Sequence, residues 1–108
     1  MKDEIEILAD IARYIEMYQN MKLKLVSDQS NILRSLTTNL AQLETYRADY
    51  YDEWLDVYFK HENQSNAARE KLADKEVHQL HRIRMIMRGA YKVTESIRST
   101  ISANKKEN

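Results

Sequence analysis

The residues best suited to chemistry fall in two runs. Between His78 and Lys92 the chain carries Arg82, Arg84, Arg88 and Lys92 without a single Asp or Glu. Arg84, Arg88 and Lys92 recur every fourth residue, which places them on one face of a helix. Such a row of cations displaces condensed counterions from a polyanion, so the spacing predicts a phosphate track; the alternative is ion pairing with an acidic helix. The second run is aromatic, and six of the nine aromatic residues lie between Tyr46 and Phe59. Tyr50 and Trp54 fall on an apolar stripe, where helical spacing alone explains them. Tyr51 and Tyr58, seven apart on a neighbouring face, are the rings expected to stack on bases.

Other chemistries find little support. His78 and His81 follow Asp74 and Glu76 by about one helical turn, but the pattern matches no zinc-site spacing, and no metal is expected. The serines lack a neighbouring His and a glycine-rich elbow. A single glycine, Gly89, builds no phosphate loop. Asp49, Asp52, Glu53 and Asp56 repeat as an acidic face rather than as a paired acid and base. No enzyme active site, cofactor or metal is therefore expected.

These residues must be positioned by helices. The chain has no Pro and one Gly, so the usual punctuation of strands and tight turns is missing. Ile5, Leu8, Ile11, Ile15, Tyr18, Met21 and Leu25 mark a first helix over residues 1–26, with Asp3, Glu4 and Glu6 favouring its start. Polar residues 27–31 interrupt the stripe without enforcing a break, so the first two helices are either separate or one kinked rod. Leu33, Leu36, Leu40, Leu43, Tyr50, Trp54 and Val57 mark a second helix over 32–60. The polar run 61–66 predicts a turn, with Ser65 or Asn66 capping a third helix over 66–103 and a frayed tail over 104–108. In that third helix Leu80, Ile83, Met87, Ala90, Thr94, Ile97 and Ile101 form an unbroken heptad seam. The seam needs a partner helix, and Leu80, Ile83, Met87, Ala90, Ile97 and Ile101 are the expected oligomerisation residues. Gly89 inside this helix has two readings, close approach of another helix or plain tolerance.

The expected fold is all-α: one domain over 1–108, a long helical hairpin with an additional N-terminal helix, coiled-coil-like packing and oligomeric assembly. The 108 residues contain no Cys, which removes disulfides and thiolate chemistry and fits a cytoplasmic setting. No apolar run approaches the ~20 residues that span a bilayer, and no signal-peptide core is visible. Zero net charge hides an asymmetry: residues 1–59 hold 6 basic and 11 acidic side chains, residues 60–108 hold 11 and 6. That asymmetry suits either pairing between helices or a basic face toward an anionic polymer.

Arg47-Ala48-Asp49-Tyr50-Tyr51 resembles the Lys-x-Arg-x-Asp-Tyr-Tyr element of the UvsY family, recombination mediator proteins of T-even-like phages. Ala73-Asp74-Lys75-Glu76-Val77 is similar to an Ala-Asp-Lys-acidic-Val segment of that family, and Gly89-Ala90-Tyr91 through Ser96 and Ile101 to its C-terminal helix. The likeness covers residues of about 45–101 in order; Thr45 stands where the family has Lys. It implies a ring-like homo-oligomer in the host cytoplasm that binds single-stranded DNA. It also implies that this oligomer helps load a RecA-like recombinase against a single-strand binding protein, with Arg47 touching DNA. On both grounds the expected nucleic-acid-binding residues are Arg47, Tyr51, Tyr58, Arg82, Arg84, Arg88 and Lys92. The competing expectation is a non-enzymatic coiled-coil adaptor or small phage-type inhibitor that grips another protein through the helical seam.

Overall fold

The computed structural model describes the backbone of residues 3–107 and the side chains of residues 3–104; Met1, Lys2 and Asn108, which fall within the expected first helix and tail, lie outside it. Four helices follow in order: α1 (Glu4–Gln19), α2 (Val26–Lys60), α3 (Asn66–Glu76) and α4 (His78–Glu107). No strand occurs among the described residues. Asp3 caps α1, its Oδ1 accepting from the Glu6 amide at 2.9 Å, while Glu4 and Glu6 meet the positive helix end. The stripe of α1 is shifted from the expected one: Ile7, Ile11 and Tyr18 are buried, whereas Ile5 is 79% exposed.

The break after α1 falls over residues 20–25, earlier than the polar residues 27–31, which lie inside α2. The cause is tertiary. Lys24 folds back so that its Nζ donates to the Tyr18 carbonyl at 2.8 Å and lies 3.9 Å from the Tyr18 ring centroid. A cation thus joins the Met21 amide, 3.3 Å away, as donor to a carbonyl at the end of α1. The buried Gln29 side chain donates through Nε2 to the Lys24 carbonyl at 2.7 Å, fixing the reversal from the other side. The first two helices are therefore separate, and α1 turns back along α2, with the Tyr50 hydroxyl donating to Glu4 Oε2 at 2.6 Å.

At 35 residues α2 is about 52 Å long, which accounts for most of the 62 Å long axis of the molecule. It forms one arm of the hairpin; α3 and α4 form the other. Ser65 caps α3, as one of the two expected candidates, accepting from the Ala68 amide at 3.2 Å. The third helix expected over 66–103 is broken at Val77, with φ −117° and ψ 57°. The break separates α3, whose Asp74 and Asn66 accept from the Trp54 and Tyr58 side chains, from α4, which carries the buried Ile83, Met87, Ala90 and Ile97. Beyond it α4 runs to Glu107, so residues 104–107 of the expected frayed tail are helical.

The heptad seam finds its partner in the same chain. Ile83, Met87, Ala90 and Ile97 are buried in one cluster with Ile7, Ile11, Tyr18, Ile32, Leu36, Leu40 and Leu43, and Ile101 packs at its edge. Leu80 is buried beside Ala73 and Val77 at the joint between α3 and α4. Of the six residues expected to join one copy to another, five thus pack in the cluster with α1 and α2, Ile101 at its edge, and Leu80 is buried at the α3–α4 joint. The polar wrap at the far end is equally intramolecular: the Tyr18 hydroxyl sits 3.4 Å from Ser96 Oγ and 3.3 Å from Thr100 Oγ1, and Asn104 Nδ2 donates to the Lys24 carbonyl at 3.3 Å.

Candidate nucleic-acid interface

The antiparallel packing of α4 on α2 opens a groove along one side of the hairpin. One stretch of about 460 Å³ is lined by Glu44 and Arg47 from α2 and by Arg84, Met87, Arg88, Tyr91, Lys92 and Glu95 from α4. A second stretch of about 300 Å³ is lined by Thr37, Leu40, Ala41, Glu44, Tyr91, Thr94 and Arg98. Glu44 and Tyr91 belong to both, so the two stretches are continuous and these two residues stand at their junction.

Four of the seven expected nucleic-acid residues therefore line one surface: Arg47, Arg84, Arg88 and Lys92. Tyr51 adjoins it, with the Arg84 guanidinium 5.5 Å from its ring centroid. Arg82 does not join them. Two residues from Arg84 is roughly 160° around a helix, so it points away from the groove. Tyr58 does not either: its ring is stacked on Trp54 at 5.3 Å and 12°, and the Arg69 guanidinium lies 4.0 Å from its centroid. Its hydroxyl donates to Asn66 Oδ1 at 3.1 Å and its carbonyl accepts from Arg69 Nε at 2.9 Å. Tyr58 fastens the hairpin end, as does Trp54, whose indole N–H donates to Asp74 Oδ1 at 2.8 Å.

The acidic residues around Arg47 in sequence are not around it in space. Asp49, Asp52, Glu53 and Asp56 are exposed and lie roughly 100–200° round α2 from Tyr51. The one carboxylate held to Arg47 is Glu44, whose Oε2 accepts from Arg47 Nε at 2.9 Å, both side chains being partly exposed. Among the described residues Arg84, Arg88 and Lys92 form no ion pair, so their charge is open to a ligand rather than spent on α2.

Sequence reasoning missed Arg98, Tyr91, Glu44 and Glu95. Arg84, Arg88, Tyr91, Lys92, Glu95 and Arg98 succeed one another at intervals of four, three, one, three and three, a single helical face; filling in the Arg84–Lys92 row finds Tyr91 and extending it finds Glu95 and Arg98, whereas Glu44, on α2, has no such signal. Tyr91, 44% exposed, and Tyr51, 38% exposed, are the rings available to a ligand there. The His78, His81 and Asp74 arrangement is divided by the break at Val77, and Asp74 is engaged by Trp54. No helix of the described residues is long and apolar enough to cross a membrane. Comparison with protein-family models, curated proteins and solved structures found no match.

Proposed function

We propose that the chain binds single-stranded DNA along the α2–α4 groove and acts in recombination as a mediator of the kind that helps load a RecA-like recombinase against a single-strand binding protein. The observation that carries the DNA reading is the gathering of Arg47 with Arg84, Arg88 and Lys92 on one groove that also exposes Tyr91 and adjoins Tyr51. Cations along a groove hold a phosphate backbone, and exposed rings stack on unpaired bases regardless of sequence. A duplex keeps its base faces stacked inside and gains only the charge term. The mediator role rests on the motif at residues 47–51 and its resemblance to the UvsY family. Homo-oligomeric action would multiply weak sites along one strand, and it would use a surface other than the buried seam. The adaptor reading through that seam loses its surface, since Ile83, Met87 and Ile97 are enclosed within the chain.

The test is a titration of labelled single-stranded and duplex oligonucleotides at two salt concentrations, with the wild type and an Arg84→Ala/Arg88→Ala variant. Both side chains are exposed, so the variant keeps the fold. Single strands are expected to bind better than duplex, and loss of two phosphate contacts lowers the slope of log affinity against log salt by about 1.4. Absence of single-strand binding at low salt, or an unchanged slope in the variant, overturns the proposal. Stimulation of a RecA-like recombinase on strands coated with single-strand binding protein tests the mediator role separately.

A further inference from the structure

We infer that Glu44 and Glu95 make the groove selective among single strands, favouring bases with an exocyclic amino group, cytosine, adenine and guanine, over thymine and uracil. This rests on the groove being a single-strand site. The two carboxylates are the feature that such a site does not need. Each repels a phosphate backbone, and repulsive elements in a binding surface act as filters against some ligands. Their position gives the filter its object. Glu44 and Tyr91 occupy the junction of the two stretches of groove, and Glu95 lies one turn beyond Tyr91 on the same side. Arg84, Arg88, Lys92 and Arg98 run past them along α4. A backbone following those cations brings a base onto the exposed Tyr91 ring, and the edge of that base then meets the carboxylates.

The chemistry of the edge decides the outcome. Stacking on Tyr91 is nearly indifferent to base identity. An ionised carboxylate only accepts hydrogen bonds. Cytosine offers its N4 amino group, adenine its N6 amino group and guanine its N2 amino group beside N1–H, whereas thymine and uracil offer a single N3–H flanked by two carbonyl oxygens that repel a carboxylate. Glu44 Oε2 accepts from Arg47 Nε at 2.9 Å. A phosphate that draws Arg47 toward itself frees the Glu44 oxygen for a base, so backbone engagement and edge reading occur together.

The deciding experiment measures anisotropy of labelled oligo(dC) and oligo(dU) of equal length with the full chain at neutral pH. The two strands share backbone and ring size and differ at the pyrimidine edge. The wild type is expected to bind oligo(dC) roughly threefold to tenfold more tightly. In Glu44→Gln/Glu95→Gln the side-chain amides both donate and accept, so the preference falls toward one, chiefly through tighter binding of oligo(dU). The single Glu95→Gln variant, at an exposed position, is expected to lie between the two. Binding of both strands within twofold of each other by the wild type refutes the selectivity and leaves the DNA site standing. A preference that survives in the double variant refutes the role of the carboxylates. Failure of the wild type to bind either strand removes the single-strand reading and this inference together.

Discussion

Truncation of Ile97 to alanine separates a seam closed inside the chain from one shared between copies. Ile97 has no exposed surface and sits in the cluster that joins α4 to α1 and α2. The change removes three carbons, about 2.4 kcal/mol at ~0.8 kcal/mol per buried methylene. Incomplete collapse of the cavity brings the expected cost to about 2–5 kcal/mol. With a urea slope of ~2 kcal/mol/M, the unfolding midpoint falls by roughly 1–2.5 M. The same truncation at Ile101, which is only half-buried at the edge of the cluster, costs less. Urea unfolding followed by circular dichroism, at protein concentrations a hundredfold apart, supplies the readout. Because the contacts are intramolecular, the loss is the same at both concentrations. Two results refute the placement: a cost below about 1 kcal/mol, or a wild-type midpoint that drops on dilution while that of Ile97→Ala stays fixed.

Three further outcomes follow from other parts of the fold. The Tyr50 hydroxyl, donating to Glu4 and partly desolvated, has its pKa pushed up to about 12. A raised folded value favours the neutral form, so this contribution is complete below pH ~10 and disappears as pH rises toward 12. Alkaline titration of tyrosinate absorbance should show Tyr50→Phe lacking the last-titrating phenol, with a shallower fall in stability over that interval. Tyr18→Phe removes a hydroxyl placed 3.4 Å from Ser96 and 3.3 Å from Thr100; urea unfolding should record a loss of about 0.5–1.5 kcal/mol. Gly89 sits in open space, with nothing within 4 Å of an added Cβ. Gly89→Ala should raise stability by up to ~1 kcal/mol in a thermal melt; destabilisation instead would show that another chain approaches the backbone there.

The helices were legible because burial here follows the 3.6-residue period almost throughout. Leu36, Leu40 and Leu43 on one arm and Ile83, Met87, Ala90 and Ile97 on the other are the residues the spacing selects, and they are buried. The turn at 61–66 was legible for a similar reason, since six polar residues cannot continue an apolar stripe. The breaks were not. Residues 20–25 contain neither Gly nor Pro, and their geometry depends on a Lys24 ammonium reaching Tyr18 and on Gln29 reaching back, contacts fixed only once α1 has packed on α2. The break at Val77 likewise has no Gly or Pro to mark it, and it follows a helix whose Asn66 and Asp74 are held by Tyr58 and Trp54 of the opposite arm, contacts between helices that neither segment shows alone. The same limitation applies to the seam, whose Ile83, Met87, Ala90 and Ile97 are buried within this chain: a heptad pattern states that a helix needs a partner and is silent on whether that partner is in the same chain.

The groove shows why local charge in the sequence is a poor guide to local charge in space. Around Arg47 the chain reads acidic, with Asp49, Asp52, Glu53 and Asp56 close behind, yet those carboxylates point to solvent on the far side of α2. Meanwhile Arg84, Arg88 and Lys92, some forty residues away, come to line the same groove as Arg47. Period arithmetic within one helix predicts the first fact and requires no structure. The second depends on the register of α4 against α2, which the tight turn and the buried Leu and Ile rows set jointly. That register places Tyr91 opposite Glu44 at the middle of the groove, so an aromatic ring, a row of cations and an acceptor meet at one point. A surface evolved only to hold phosphate has no use for the acceptor there. Its presence beside the ring is the reason to look for discrimination among bases as well as affinity for the strand.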